Sequence, residues 1–267
     1  MTDTAQWISV GDLADGFAPE SNILPPSYDL AGKSLALGYE DGTGWVLAIE
    51  REGEAQFVVL AGGARAPVRV TSLREGLYFV DYVTADQSVT VLVDVGSGAV
   101  LRIDATLPTE EEAGASLLAR AATGLALTAV KTQFRAARVA GRDGGCGFPR
   151  TAELVGKRIR YRYSQTELYE HIYLNESFYT WQCLSGVEKG LADTDLCHYF
   201  KLRDELYLFI WQEKIVPTLG VVTVDLARRK TDGKIFGYAG FKPGNFANFA
   251  VGAVATFANY TPPPVLA

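Results

Sequence analysis

The stretch Leu154-Val155-Gly156-Lys157-Arg158-Ile159-Arg160-Tyr161-Arg162-Tyr163 decides how the rest of the chain reads. After the glycine, charged and apolar residues alternate without a break. In an extended strand successive side chains point to opposite faces, so Arg158, Arg160 and Arg162 share one side and Ile159, Tyr161 and Tyr163 the other. A shift of one residue would put three guanidinium groups in the interior, a cost that rules the alternative out. The aromatics therefore face in, and the arginines form a solvated face that offers at most a phosphate patch. The same parity aligns Tyr169, His171 and Tyr173, then Tyr179, Trp181 and Cys183, then Tyr207, Phe209, Trp211 and Glu213.

The opening of this stretch recurs earlier. Leu30-Ala31-Gly32-Lys33 matches Leu154-Val155-Gly156-Lys157, Leu77-Tyr78-Phe79-Val80 matches Leu206-Tyr207-Leu208-Phe209, and Val93-Asp94 matches Val224-Asp225. Order and spacing persist, so tandem duplication of a β domain is the preferred account. The first copy contains seven period-two runs: 33–39, 45–50, 56–60, 68–72, 77–84, 88–95 and 99–104. Glycine-bearing turns such as Asp41-Gly42-Thr43-Gly44 and Gly96-Ser97-Gly98 separate them. Such closely spaced strands indicate an antiparallel barrel or sandwich. Thr109 and Glu112 form a capping box for a helix through Leu117 and Leu118. Residues 130–139 form a bridging strand before the glycine-rich Arg142–Gly147, the best candidate break. The expected fold is all-β: an N-terminal barrel in residues 1–128 and a C-terminal barrel in 129–267, joined by a short helical linker.

Composition narrows the function. Of 267 residues, 48% are hydrophobic and 21% charged, as in a globular protein. No run approaches the roughly 18 apolar residues that span a bilayer. The start lacks a basic segment followed by an apolar core, so a cytoplasmic location is expected by default, with no membrane partner. Three cysteines without a C-x-x-C pair suggest reduced thiols packed as small hydrophobes. Residues 1–131 carry 8 basic and 18 acidic side chains, and residues 132–267 carry 17 and 13. The weakly positive second half suits a small anion and is too dilute to make nucleic acid a partner. Phosphate loops, G-x-G-x-x-G after a strand and G-x-S-x-G elbows are missing, so nucleotide-driven and triad hydrolase chemistry drop out.

Both histidines and nine of the thirteen tyrosines lie in the last 117 residues. A barrel lined with tyrosine and tryptophan brings polar tips that need partners when buried, which suits a small aromatic or polar-headed ligand. The competing reading is a structural core whose hydroxyls bond to backbone. His171, between Tyr169 and Tyr173, and Glu213, on the parity of Trp211, are the candidate catalytic residues. The alternatives are a buried neutral imidazole and a buried salt bridge to an arginine. Tyr161, Tyr169, Tyr173 and Tyr179 are candidate substrate-binding residues, as are Trp181, Tyr199, Tyr207 and Trp211. Asp193, Asp195, Cys197 and His198 lack metal-ligand spacing, so no metal is expected and Asp193–Asp195 reads as a turn held by aspartate side chains.

Several segments resemble the molybdenum cofactor biosynthesis protein F (MoaF) family. They are Leu154–Ile159, His171-Ile172-Tyr173-Leu174-Asn175, Leu191–Asp195, Trp211–Thr218 and Gly233–Tyr238, and Trp45 and the 30–41 opening fit as well. The resemblance implies two calycin-like, lipocalin-type barrels in tandem. The calycin-like group also resembles phenolic acid decarboxylases, whose tyrosines work with an acid and a base. Two functions follow as expectations. The first is a lyase, isomerase or cyclase without a redox cofactor, acting on a small aromatic or unsaturated acid in the C-terminal barrel. The second is a non-catalytic carrier of a pterin-like metabolite linked to molybdenum cofactor biosynthesis. The N-terminal barrel, with no histidine and four tyrosines, reads as a degenerate, supporting copy, and homo-oligomer formation is left open.

Overall fold

The computed structural model describes residues 6–18, 21–85 and 87–263. The chain starts with a helix, α1 (Val10–Phe17), followed by eight strands: β1 (Ser34–Tyr39), β2 (Gly44–Glu52), β3 (Ala55–Val59), β4 (Arg65–Arg74), β5 (Leu77–Val83), β6 (Ser88–Asp94), β7 (Ala99–Thr106) and β8 (Lys131–Val139). Between β7 and β8 lie two short helices, α2 (Glu110–Gly114) and α3 (Leu117–Ala122). The second set comprises β9 (Lys157–Arg162), β10 (Leu168–Tyr173), β11 (Phe178–Ser185), β12 (Ala192–Arg203), β13 (Leu206–Gln212), β14 (Thr218–Asp225), β15 (Lys230–Tyr238) and β16 (Phe246–Tyr260). Each set closes as an up-and-down antiparallel barrel, β1 to β8 and β9 to β16. Closure removes sheet edges altogether.

All seven strands expected in the first copy are present. The bridging strand is not a bridge: β8 pairs with β1, Leu37 opposite Val139, and completes the first barrel. The expected single linker helix is two. Thr109 and Glu112 do form the capping box of α2, but the chain breaks after Gly114 and Ser116 caps α3.

The compact units divide the chain differently from a boundary at 128/129. One unit consists of Leu24–Thr106 and Thr132–Pro149, the first barrel. The other gathers the described residues within Met1–Ile23, Leu107–Lys131 and Arg150–Ala267, so that α1 and the linker helices belong with the second barrel.

The sequence repeat has a backbone reason. Gly32 and Gly156 have φ of 72° and 83°, a conformation glycine adopts without the Cβ clash of other residues. Gly32 donates its N–H to the Ile49 carbonyl of β2 at 2.7 Å, and Gly156 to the Tyr173 carbonyl of β10 at 2.8 Å. Leu30 and Leu154, two residues before, are both buried.

In the second barrel the parity reading holds. Ile159, Tyr161, Tyr169, His171, Tyr173, Tyr179, Trp181, Tyr207, Phe209 and Trp211 are all buried, and cross-strand partners such as His171 and Trp181 sit directly opposite. The outer arginines are less free than expected. Glu170 is 0% exposed on that outer face and takes Arg160 Nε at 2.9 Å, Gln182 Nε2 at 2.6 Å and Arg158. Burial pushes its carboxyl up, but these three donors outweigh it and hold it below the usual range. A pair of arginines already engaged this way is a poor phosphate patch.

Candidate functional site

One mouth of the second barrel is closed by α1. Ser9 caps the helix, its Oγ accepting from the Asp12 N–H, and Val10, Leu13 and Phe17 turn inward at helical spacing. Phe17 packs on Tyr163 and Tyr169 with ring centroids 4.8 and 5.6 Å apart, and Trp7 meets Trp181 edge-on at 5.9 Å. Two glycines allow the close seat. A Cβ at Gly11 would lie 2.5 Å from the Ala239 carbonyl oxygen, and one at Gly16 would lie 2.6 Å from a Val187 methyl. Beyond the helix, the Asn22 N–H donates to the Tyr163 carbonyl at 2.9 Å, fixing the segment to the end of β9.

Under α1 lies a cavity of about 30 Å³. That is room for one or two waters, since a water needs at least ~10–15 Å³. The chamber expected from the sequence is therefore largely filled. Leu13 and Phe17 form its lid, and the barrel supplies Tyr169, His171, Tyr179, Trp181, Trp211 and Glu213, six of the ten residues picked from the sequence. Glu188, from the loop between β11 and β12, is the acid the sequence did not flag.

The other four lie elsewhere. The Tyr161 and Tyr173 hydroxyls bond to each other at 2.6 Å, away from the cavity lining. Tyr199 takes the Cys197 Sγ–H at 2.9 Å and stacks on Phe209. Tyr207 lies near the start of β13, at the strand end opposite Glu213, and donates to Glu153 Oε2 at 2.7 Å. Tyr199 and Tyr207 do not line this cavity. A hollow of about 360 Å³ beside Arg150, Glu176, His198 and Tyr199 and another of about 430 Å³ beside Lys157, Arg229 and Phe257 are larger. The carboxyl groups that burial raises, Glu188 and Glu213, line neither of these and gather under α1.

Glu213 follows the last residue of β13 and keeps its parity. Its N–H donates to the Thr218 carbonyl at 2.9 Å, and its own carbonyl accepts from Thr128 Oγ1 of the linker at 3.1 Å. The side chain meets Trp211 Nε1–H at 2.9 Å and pairs with no arginine among the described residues, so an indole stands where the alternative reading put a salt bridge. Burial, then the charges of Asp195 and Glu188, push its carboxyl well above the usual range. Glu188 accepts from the Tyr169 hydroxyl at 3.0 Å, and burial raises it to about 7. Asp195 takes Trp181 Nε1–H at 3.0 Å and the Lys214 N–H at 3.1 Å, and burial raises it against the pull of Lys214.

Asp193–Asp195 is not a turn. It lies in β12, and the Lys214 ammonium bonds to Asp193 and, at 3.4 Å, to Asp195. The chain's own cation occupies the place where these aspartates would hold a metal. His198 faces out of the barrel and meets Gln212 Oε1 at 3.1 Å.

His171 is 4% exposed, and its Nδ1 has no hydrogen-bond partner. Tyr161, Tyr179, Phe209 and Trp211 surround it with ring centroids 4.8 to 6.1 Å away. Burial holds its pKa down to about 3, so the ring is neutral at pH 7.

Residues 5–109 match the model of the MoaF N-terminal domain and residues 148–261 that of the MoaF C-terminal domain. The chain belongs to the MoaF family. It is 43% identical over 265 residues to Protein MoaF of Klebsiella aerogenes, covering 98% of each chain. A solved structure described as a putative beta-lactamase from Burkholderia vietnamiensis aligns with 41% of this chain and all of its own, at 15% identity and a TM-score of 0.34. That likeness is too low to bear on activity. In this MoaF-family chain the N-terminal domain match takes in α1, although α1 packs on the second barrel.

Two features escaped the sequence reading. Glu188 sits in a glycine-flanked loop, where parity says nothing. The helix was legible in principle: Ser9 before Val10, Leu13 and Phe17 is a capped amphipathic turn.

Proposed function

We propose that the second barrel binds a small organic molecule under α1 and that Glu188 and Glu213 move a proton on it. The observation carrying this reading is the convergence of buried carboxyl groups, an unpaired imidazole and indole and phenol walls on one lidded cavity. A carboxyl near pH 7 can take and return a proton at little cost, and one held neutral can donate. These are the parts of a redox-cofactor-independent lyase or isomerase. His171, too weakly basic for the acid–base role expected of it, acts as a hydrogen-bond partner for the ligand.

Entry requires α1 to leave. The helix has eight residues, two of them glycine, each costing about 1 kcal/mol relative to alanine. An isolated helix this short does not persist in water. Burial of Val10, Leu13 and Phe17, about 1.5–3 kcal/mol each, holds it. Trp7 against Trp181 and the Asn22 N–H on the Tyr163 carbonyl tether the segment on either side, so the helix can lift and return.

A carrier role is the second reading, favoured by the ring-lined walls, which suit binding whether or not a proton moves. Native mass spectrometry for a retained molecule, followed by long incubation with that molecule, separates the two. Product formed by the wild type and lost in Glu213→Gln supports catalysis, and binding without product supports the carrier. A second barrel that neither retains nor takes up any small molecule, even with α1 loosened, defeats both.

A further inference from the structure

The charge around the cavity points to a ligand class opposite to the acid expected from the sequence. Glu188 and Glu213 line it, and no lysine or arginine among the described residues does. Behind them, Asp195 shares the Lys214 ammonium with Asp193, and Glu167 takes the Val187 N–H at 3.2 Å in the loop that carries Glu188. On the lid, Asp12 and Asp15 lie on the exposed side of α1 and add negative charge. An anion entering here would pass acids on the outer face of the lid and meet others on the barrel side.

The walls favour a cation for a second reason. Trp181 and Trp211 turn their Nε1–H groups to Asp195 and Glu213, and Tyr169 gives its hydroxyl to Glu188. The donors of these rings are thus spent on the carboxyl groups, and what remains for a ligand is ring surface, which attracts cations. The buried, unpaired Nδ1 belongs to a neutral imidazole, which keeps one nitrogen as an acceptor, and an ammonium brings N–H donors that a carboxylate lacks.

We propose, resting on the reading that this chamber binds a small molecule, that its ligand, taken up as α1 lifts and the space of about 30 Å³ widens, is an organic cation: an aromatic-sized ammonium held by Glu188 and Glu213 against the rings of Trp181, Trp211 and Tyr179. The burial that raises both carboxyl groups supports it, with the charges of Asp195 and Glu188 adding to it at Glu213, because a bound cation would favour the ionised acids.

The test uses the full chain and three probes of one size: benzylammonium, benzyl alcohol and benzoate. Tryptophan fluorescence and calorimetry report binding, in wild type and in Glu188→Gln and Glu213→Gln, with near-UV circular dichroism checking the fold. Benzylammonium should bind about tenfold or more tightly than either analogue, and each glutamine variant should lose that preference without losing the alcohol. Repeating the calorimetry at pH 7 in buffers of different ionisation enthalpy should show release of about half a proton or more per ammonium bound, since Glu188 starts near half-protonated. Equal or tighter binding of benzyl alcohol or benzoate overturns the cation and leaves the chamber standing. Proton uptake, or none, also overturns it. Failure of all three probes in the wild type and in a lid-loosened Phe17→Ala chain overturns the cation and the chamber together.

Discussion

Trp211 and Glu213, two positions apart at the end of β13, are joined by a hydrogen bond of 2.9 Å from the indole Nε1–H to Oε1. The bond gives a half-buried carboxyl its partner while leaving it without a compensating charge. Such a group is costly once ionised. Glu213→Gln should therefore stabilise the protein by about 1 kcal/mol or more at pH 8 and change it little at pH 4. It should leave the Glu188 titration near 7, because Glu188 is raised by burial and the Glu167 charge while Glu213 is still neutral there. Carboxyl NMR and chemical denaturation at the two pH values check both, and a loss of stability at pH 8 would refute the assignment.

The same indole explains a glycine. A Cβ on Gly220, opposite Trp211 across β13 and β14, would lie 2.0 Å from the ring. Gly220→Ala should displace Trp211, cost about 2 kcal/mol or more and alter the near-UV signal. A wild-type melting curve would show that the ring has room to move.

Loosening the lid is a third expectation. Phe17→Ala removes the ring between Tyr163 and Tyr169, and truncating a core phenylalanine costs about 3–5 kcal/mol in a rigid site. Because α1 can detach by itself, the loss measured on the whole barrel should fall below that range. Acrylamide quenching of tryptophan should rise at the same time. An unchanged quenching constant would mean that α1 stays in place.

The two titrating groups of the chamber act in opposite directions on stability. Glu188 has its folded pKa raised to about 7, so the stability it lends at low pH is lost as pH rises from the ordinary carboxyl range through 7. His171 has its folded pKa lowered to about 3, so its contribution is complete above about 6.5 and is lost as pH falls towards 3. Replacing His171 by Phe removes only the second slope. Relative to wild type, the variant should gain up to about 1.4 kcal/mol per pH unit between pH 6 and 4. A constant difference across that window would show His171 to be as solvated in the fold as in the open chain.

Much of this was readable from the sequence because strand parity is rigid. Arg158 out means Tyr161 in, and the interior ring from Tyr169 to Trp211 follows. The site was legible only where strands carry it. Glu188 lies on a loop, and α1 reaches the second barrel from more than a hundred residues upstream, a contact that local patterning does not encode. The filling of the chamber was hidden too. Parity says which side chains face inward, but whether Phe209 stacks between Tyr199 and Trp211 or leaves space depends on rotamers and barrel radius. The charge was misjudged for a related reason: the basic excess of residues 132–267 sits on outward positions such as Arg158 and Arg160, and the acids sit within.

The order of the pieces along the chain has a consequence for any attempt to separate the repeats. The stopper of the second barrel is encoded ahead of the first, so a gene split at the glycine-rich junction would yield an uncorked C-terminal half with raw indoles at its rim. The N-terminal half would carry a greasy, homeless helix. Mixing the halves should restore what neither holds alone, which makes this family a natural candidate for complementation by fragments.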